Sequence, residues 1–198
     1  MKYLDKYLFF DEKKISEKPV FIEVGSFSGN HGKKIKDEYP NSKVLIYEGS
    51  DKNFEELKNN IKDYDIEIIN KVISSKADKI ILYEYNYKSS NSIFDRSSNN
   101  KKILNKCIKD SITVDDIFKE NNLSLVDVLF LNCEGSELEI IDYILNSKEL
   151  QKKINQISVS FHPQIYGQEK MQTFINKIKK THKCIYDNGK YHNYLIFI

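Results

Sequence analysis

The residues of this sequence that could do chemistry stand at the ends of apolar, β-prone runs. Val20-Phe21-Ile22 leads into Glu23-Val24-Gly25-Ser26-Phe27-Ser28-Gly29, and Lys43-Val44-Leu45-Ile46-Tyr47 leads into Glu48-Gly49-Ser50. Val126-Asp127-Val128-Leu129-Phe130-Leu131 leads into Asn132-Cys133-Glu134, and the run Ile154 to Phe161 ends at His162-Pro163. Carboxylates at strand ends accept hydrogen bonds from a polar ligand, and a histidine has the intrinsic pKa for proton transfer near neutrality. The chain has seven glycines, and Gly25, Gly29 and Gly32 all fall in or just after the first stretch. In so glycine-poor a chain, that clustering points to a backbone that approaches a ligand closely or takes a positive φ.

The spacing Glu-x-Gly-x-x-x-Gly selects among ligands. A dinucleotide fingerprint reads Gly-x-Gly-x-x-Gly, with a phosphate on the N-terminus of the following helix; here position 27 is Phe. Glu23 would repel a pyrophosphate. A ligand with a positive group and no phosphate suits the loop better, and S-adenosylmethionine, with its ammonium and sulfonium, has that chemistry. The alternative is a plain βα turn whose helix is capped by Ser28 or Asn30.

At 198 residues the chain is long enough for one domain with a full core. Its 31 basic and 29 acidic residues leave a net charge of +2, so no global field points to nucleic acid. All basic residues but Arg96 are lysines, which argues against bidentate reading of bases or phosphates. Cys107, Cys133 and Cys184 show no C-x-x-C spacing, and an odd count argues against a disulfide framework, so a reducing cytoplasm is the expected compartment. Lys and Asp interrupt the apolar N-terminus, which reads as neither a signal peptide nor a membrane span. His31, His162, His182 and His192 have no metal-ligand spacing, so no metal is expected.

Around these residues the chain alternates strand and helix. Residues 2–10 have helical apolar spacing and read as a short amphipathic helix docking on the sheet or on a partner, a homodimer being one arrangement this allows. A charged linker follows to residue 18. Helices are expected from His31 to Tyr39, Lys52 to Ile61 behind an Asp51 cap, Val114 to Glu120 behind Thr113, Leu138 to Leu145 and Met171 to Lys180, the last with Phe174, Ile175 and Ile178 on one face. Further strands are expected at 66–70 and, as an addition, 79–85. The Ser-, Asn- and Lys-rich stretch 86–102 reads as a mobile loop. Residues 184–186 and 194–198, joined by the turn Asp187-Asn188-Gly189, read as a C-terminal hairpin. The expected architecture is α/β: a mostly parallel seven-stranded sheet closed by that antiparallel hairpin, with helices on both faces.

From Val20 to about His162 the sequence resembles the FkbM-type S-adenosylmethionine-dependent methyltransferases. The parts that carry the resemblance occur in family order: VFIEVGSFSG, VLIYEGSDKNFEELKNNI, INKVISS, NSIFD, SITVDDIF and LVDVLFLNCEGSELEII. The last is similar to the signature Val-Asp-x-x-Lys-x-Asp-x-Glu-Gly-x-Glu and is the most specific. The resemblance implies a Rossmann-like class I methyltransferase domain over residues 19–198, preceded by the N-terminal helix and linker, 1–18. This sequence departs from the pattern at Glu23 (usually Asp), Gly49 (Pro), Phe130 (Lys) and Asn132 (Asp). The last two remove a charge pair beside the expected reaction centre.

The resemblance also implies roles. S-adenosylmethionine would lie along Glu23, Val24, Gly25, Ser26, Phe27 and Gly29, with backbone amides at Gly25 to Phe27 on its methionyl end and Glu23 placing the ammonium. Glu48, within Glu48-Gly49-Ser50, would accept the ribose hydroxyls. Val72 and Ile73 would flank the adenine, and Asn132 would orient cofactor or substrate. The reaction implied is O-methylation of a small hydroxylated acceptor, a sugar or sugar nucleotide. His162 or Glu134 would take its proton, and His31, Asn91 and Ser92 are further candidates for ligand contact. A neutral His162 acting as base predicts a rate rising through roughly pH 6–7. Two other classes use such a sheet. A nicotinamide-dependent oxidoreductase is opposed by the missing Gly-x-Gly-x-x-Gly and by Glu23. A methyltransferase-like binding module that has lost its chemistry draws on Phe130 and Asn132.

Overall fold

The computed structural model of the chain describes residues 1–97, 101–187 and 192–198. Apolar runs make β3 (Val20–Val24), β4 (Lys43–Tyr47) and β9 (Val128–Leu131), as expected for strands buried on both faces. β10 (Gln156–Ser160) is buried but alternates polar and apolar residues, and β5 (Glu67–Ile69) is a short, half-exposed edge strand. With β11 (Cys184–Tyr186) and β12 (Asn193–Phe197) they form a seven-stranded sheet in the order β11-β12-β10-β9-β3-β4-β5. The pairs from β10 to β5 are parallel, and β12 runs antiparallel to both β10 and β11. This is the expected sheet and hairpin; Asn188 and Gly189 of the expected turn lie outside the described residues.

The chain lays down β3, β4 and β5 outward in one direction, then returns to add β9 and β10 on the other side of β3. Strand order therefore reverses between β3 and β9. A crevice opens at their carboxyl ends, where ligands bind in open α/β sheets. Gly25 and Asn132 sit on its two lips. Asn132 N–H donates to Val24 O at 3.1 Å and Gly25 N–H to Tyr47 O at 2.9 Å. Gly25 has φ +84°, and a Cβ there would lie 2.3 Å from Asn132 O. Only glycine allows the two loops to cross this closely.

Alternation along the strands sends successive side chains to opposite faces. Ile22, Val24, Leu129 and Leu131 pack against α3 (Val114–Glu120), α4 (Glu137–Leu145) and α7 (Gln168–Ile178). Phe21, Val128 and Phe130 pack against α1 (Asn30–Glu38) and α2 (Asp51–Ile61). Local chemistry fixes the helix starts. Ser50, not Asp51, caps α2, its side chain accepting from Asn53 N–H. Thr113 and Asp116 close a reciprocal capping box on α3. Neither Ser28 nor Asn30 caps α1; its N-cap is Gly29 at φ +72° with no side-chain bond.

Two larger expectations also differ from the structure. The N-terminal helix is absent: β1 (Lys2–Tyr3) and β2 (Phe9–Phe10) form an antiparallel hairpin. Asp5 fixes its turn, accepting from Tyr7 N–H at 2.8 Å and Leu8 N–H at 3.1 Å. Leu8, Phe9 and Phe10 are all fully buried in the α1–α2 face of the core. The Asp5 turn and the pairing of Lys2 with Phe10 and Tyr3 with Phe9 outweigh the helical spacing of the apolar residues. Asp127, buried in the core, ties the following linker down by accepting from Ser16 and Val20 N–H groups at 2.7 and 2.8 Å.

The second difference is β8 (Ile103–Ile112), a strand that no apolar alternation announced. It pairs antiparallel with β7 (Lys79–Tyr85) and parallel with the short β6 (Val72–Ile73). Most of its side chains are exposed or half-buried, so ladder hydrogen bonds rather than burial hold it. The preceding stretch is no loose loop among its described residues. Ser92 bridges back to Tyr83, and Ser90, Ser92 and Arg96 are buried.

Candidate functional site

Two adjoining cavities occupy the crevice and share Gly25, Phe27, Ser89, Asn132 and Glu134. The narrower, about 60 Å³, lies over β4 and β6 and is lined by Val24, Glu48, Gly49, Val72, Ile73 and Leu82 among others. Lys88 to Ile93 roof it. The wider, about 820 Å³, lies over β9, β10 and α1, with Glu23, Ser26, His31, Arg96, Lys101 and His162 in its walls.

In the narrow cleft Glu48 is the one polar group set among apolar walls that carries a buried carboxylate, at 6 % exposure. Its Oε1 accepts from Ser50 N–H at 2.9 Å. Burial pushes its pKa up to about 7 against the pull of bonds from Ser50 and Asn53, and the charges of Glu23 and Glu84 add to the rise. Ser50 does not line either cavity; it acts by holding Glu48 and capping α2. Gly29 is likewise outside both. A Cβ there would strike Leu57 and Ile61, so this glycine serves the packing of α1 on α2. Ser26 accepts from Gly29 N–H at 3.2 Å and shapes the loop. Val24, Gly25, Phe27, Glu48, Gly49, Val72, Ile73 and Asn132 are brought together as expected.

Glu23 points to the other face, into the wide cavity. Its Oε1 is 2.8 Å from His31 Nδ1, and its Oε2 is buried without a partner. His31 Nε2 in turn meets Asp5 of the N-terminal hairpin at 2.9 Å. Burial works against the charged imidazole, but Glu23 and Asp5 outweigh it and raise the His31 pKa to about 10. Phe130 packs edge-on to His31 at 4.9 Å between ring centres and lines neither cavity. The loss of a lysine at this position therefore falls beneath the site, beside His31, and not at the reaction centre.

A second carboxylate-histidine-carboxylate array closes the wide cavity. Glu137 is fully buried at the start of α4. Its carboxylate accepts from Cys133 N–H at 3.0 Å, Gly135 N–H at 3.1 Å and His162 Nδ1 at 2.8 Å. His162 Nε2 lies 3.3 Å from Glu134 Oε1, and the other Glu134 oxygen takes Arg96 Nη1. Glu134 has φ +53°, a conformation that costs a non-glycine residue about 1–3 kcal/mol and concentrates at functional sites. Ser92 Oγ bonds its carbonyl at 2.6 Å. Burial raises the Glu134 carboxyl, but His162 and Arg96 outweigh it and leave the pKa below the ordinary value. Burial likewise opposes charge on His162, yet Glu137 and Glu134 raise its pKa to about 10.

That last shift changes the expected proton inventory. At neutral pH His162 is an imidazolium with both nitrogens on carboxylates, and the unprotonated group at the centre is Glu134. Sequence reasoning missed Glu137, which appeared only as the last letter of a signature, and Arg96. The signal for Arg96 was its status as the single arginine in a lysine-rich chain.

The model of the methyltransferase FkbM domain matches residues 23–192. The chain belongs to the FkbM methyltransferase family. No curated protein matches the sequence. Solved structures similar to this FkbM protein include a proposed caffeoyl-CoA O-methyltransferase from Staphylococcus aureus, at 10% identity over 91% of this chain and 76% of that one, TM-score 0.54. The METTL16 methyltransferase domain aligns at 13% identity over 93% of this chain and 60% of its own, TM-score 0.53. A chain of the fibrillarin/Nop5p complex aligns at 13% identity over 92% and 72%, TM-score 0.51. These likenesses establish a Rossmann-like methyltransferase fold. Among the described residues, no helix is long and apolar enough to cross a membrane.

Proposed function

We propose that this FkbM protein is an S-adenosylmethionine-dependent O-methyltransferase acting on a small, sugar-like hydroxylated molecule. The observation that carries the reading is Glu48: a buried carboxylate at a strand end, bonded by Ser50 N–H and the Asn53 side chain and flanked by Val72 and Ile73. A carboxylate has about four acceptor positions, so those left over suit the two hydroxyls of a vicinal diol, and apolar walls suit an adenine. The unpartnered Oε2 of Glu23 fits an ammonium. The cleft has room for a few waters at its described width, so entry of a nucleoside requires the Lys88–Ile93 roof to lift.

When bound, the cofactor supplies a methyl group on a sulfonium. The chain's residues hold the acceptor in the wide cavity, orient its hydroxyl by Asn132, and receive its proton at Glu134. A carboxylate is a weak base, but a hydroxyl becomes strongly acidic as its oxygen forms a bond to carbon, so a weak base suffices. His162 and Arg96 fix the two Glu134 oxygens, which is the positioning such a transfer needs.

The reading predicts a pH-dependent affinity. Diol hydroxyls donate to an ionised Glu48, so binding of S-adenosylhomocysteine should strengthen as pH rises through about 7. Glu48→Ala should weaken binding by about 1–3 kcal/mol, the scale of hydrogen bonds to a charged group, and Glu48→Gln should flatten the pH dependence. The raised pKa means that folding disfavours the ionised form, so Glu48 lowers stability increasingly from pH 4.5 upward through about 7. Glu48→Gln should therefore keep or raise the melting temperature at pH 8. Calorimetric titration at pH 6 and 8 with thermal melts tests this; a dissociation constant unchanged in both variants places Glu48 away from the ribose.

A further inference from the structure

We propose that the wide cavity contains an anion subsite, formed by Arg96 and Lys101, that receives a carboxylate or phosphate group carried by the acceptor. The inference rests on reading this cavity as the acceptor site and narrows the acceptor to an anionic sugar-like molecule.

Arg96 is the single arginine of the chain and is 3 % exposed. Both of its side-chain hydrogen bonds leave from Nη1, to Ser90 O at 3.3 Å and to the Glu134 carboxylate. Its Nε is buried and has no partner among the described residues. A guanidinium grips oxyanions through two parallel N–H groups, so an edge left unpaired is the feature an anion completes. Lys101 is half-buried beside it. Its Nζ donates to Ser90 Oγ at 2.6 Å, and it has no ion-pair partner among the described residues. Burial and the Arg96 charge lower the Lys101 pKa, while Glu134 works the other way. Two cations are thus held close enough to repel each other.

The charges nearby do not cancel them. Glu134 is shared by Arg96, by Lys101 at longer range and by the His162 imidazolium, and Glu137 stands behind His162. Three cations face two carboxylates. Across the cavity, His31 and Lys34 are held by Asp5 and Glu23, and Lys33 and Asp37 lie one turn apart on α1 in the same wall, so that wall is balanced. The surplus is local to Arg96 and Lys101. Both line the wide cavity, and Arg96 bonds the Glu134 carboxylate that receives the acceptor's proton, which favours the acceptor over the cofactor as the source of the anion.

Inorganic phosphate and glucuronate, with glucose as the neutral comparison, can be titrated into the full chain with and without S-adenosylhomocysteine. The two anions should bind about tenfold or more tighter than glucose, the scale of a charge-assisted hydrogen bond. Lys101→Gln and Arg96→Lys should each remove most of that difference, and Lys101→Gln should leave the affinity for S-adenosylhomocysteine unchanged. Equal binding of glucose and the anions overturns the proposal, as does anion affinity that survives both substitutions. So does a Lys101→Gln variant that loses affinity for S-adenosylhomocysteine but not for methylthioadenosine, which lacks the carboxylate. The titrations without S-adenosylhomocysteine decide the subsite even if that nucleotide does not bind, an outcome that would instead overturn the methyltransferase reading.

Discussion

Glu137→Ala is expected to cost the fold about 3–5 kcal/mol, the penalty for breaking a buried ion pair and leaving its partner charged and unpaired. Glu137 is fully buried, sits 2.8 Å from His162 Nδ1, and also takes the N–H groups of Cys133 and Gly135. The same residue holds the loop that keeps Glu134 at positive φ, so turnover should fall with stability. Glu137→Gln retains hydrogen-bonding capacity and should lose less. The pH dependence supplies an independent check. The folded-state pKa of His162 is raised from 6.5 to about 10, so its contribution to stability is fully present below pH 6.5 and is lost as pH rises through about 10. Removing Glu137 should shrink that alkaline loss. Urea unfolding at pH 7 and pH 10 measures both effects; wild-type stability in the alanine variant at pH 7 would mean that the array is not an ion pair.

Glu134→Gln is expected to lower turnover by roughly 10²–10⁴, the usual span for loss of a positioned general base, with little change in affinity for S-adenosylhomocysteine. With S-adenosylmethionine saturating at every pH, the wild-type turnover should be flat from about pH 6 to 8.5. The acid limb lies below 4.5, because His162 and Arg96 outweigh burial and hold the Glu134 carboxyl under its ordinary value, and His162 does not lose its proton until about pH 10. This differs from the rise through pH 6–7 that an isolated histidine base predicts. His162→Ala should also slow turnover by removing the partner of Glu134 Oε1, while shifting the acid limb upward toward an ordinary carboxylate. A positioning role produces that shift; a histidine base does not. A rate that climbs through pH 6–7 in the wild type, or near-normal turnover in Glu134→Gln, would remove Glu134 from the proton transfer.

The parts of this molecule legible in its sequence are those set by local pattern. Central parallel strands are buried on both faces, so Val20–Val24, Lys43–Tyr47 and Val128–Leu131 read as apolar runs, and their carboxyl ends mark the crevice. Glu48 and Asn132 each follow such a run, while Val72 and Ile73 come from the resemblance of INKVISS to the family. What the sequence hid depends on long-range approach. Arg96 reaches Glu134 only because the β7–β8 ribbon folds the intervening stretch back over the crevice, with Tyr85 Oη accepting from Arg96 N–H at 2.6 Å. Strand β8 itself is exposed, polar and held by pairing, so its residues carry no burial signal. The N-terminal hairpin mimics helical spacing because Tyr3, Tyr7 and Phe10 fall three and four apart, while the Asp5 turn that decides its shape is a local hydrogen-bond choice. The protonation of His162 was equally hidden, since it follows from Glu137 meeting the end of β10 in space.

Calorimetric titration of the chain with S-adenosylhomocysteine and, separately, with NAD tests the central claim most directly. The arrangement of Glu23, Gly25 and Glu48 predicts saturable binding of S-adenosylhomocysteine, weakened by Glu48→Ala, and no heat of binding with NAD, whose pyrophosphate would meet Glu23 and find no Gly-x-Gly-x-x-Gly loop. Saturable binding of NAD with no response to S-adenosylhomocysteine would contradict it.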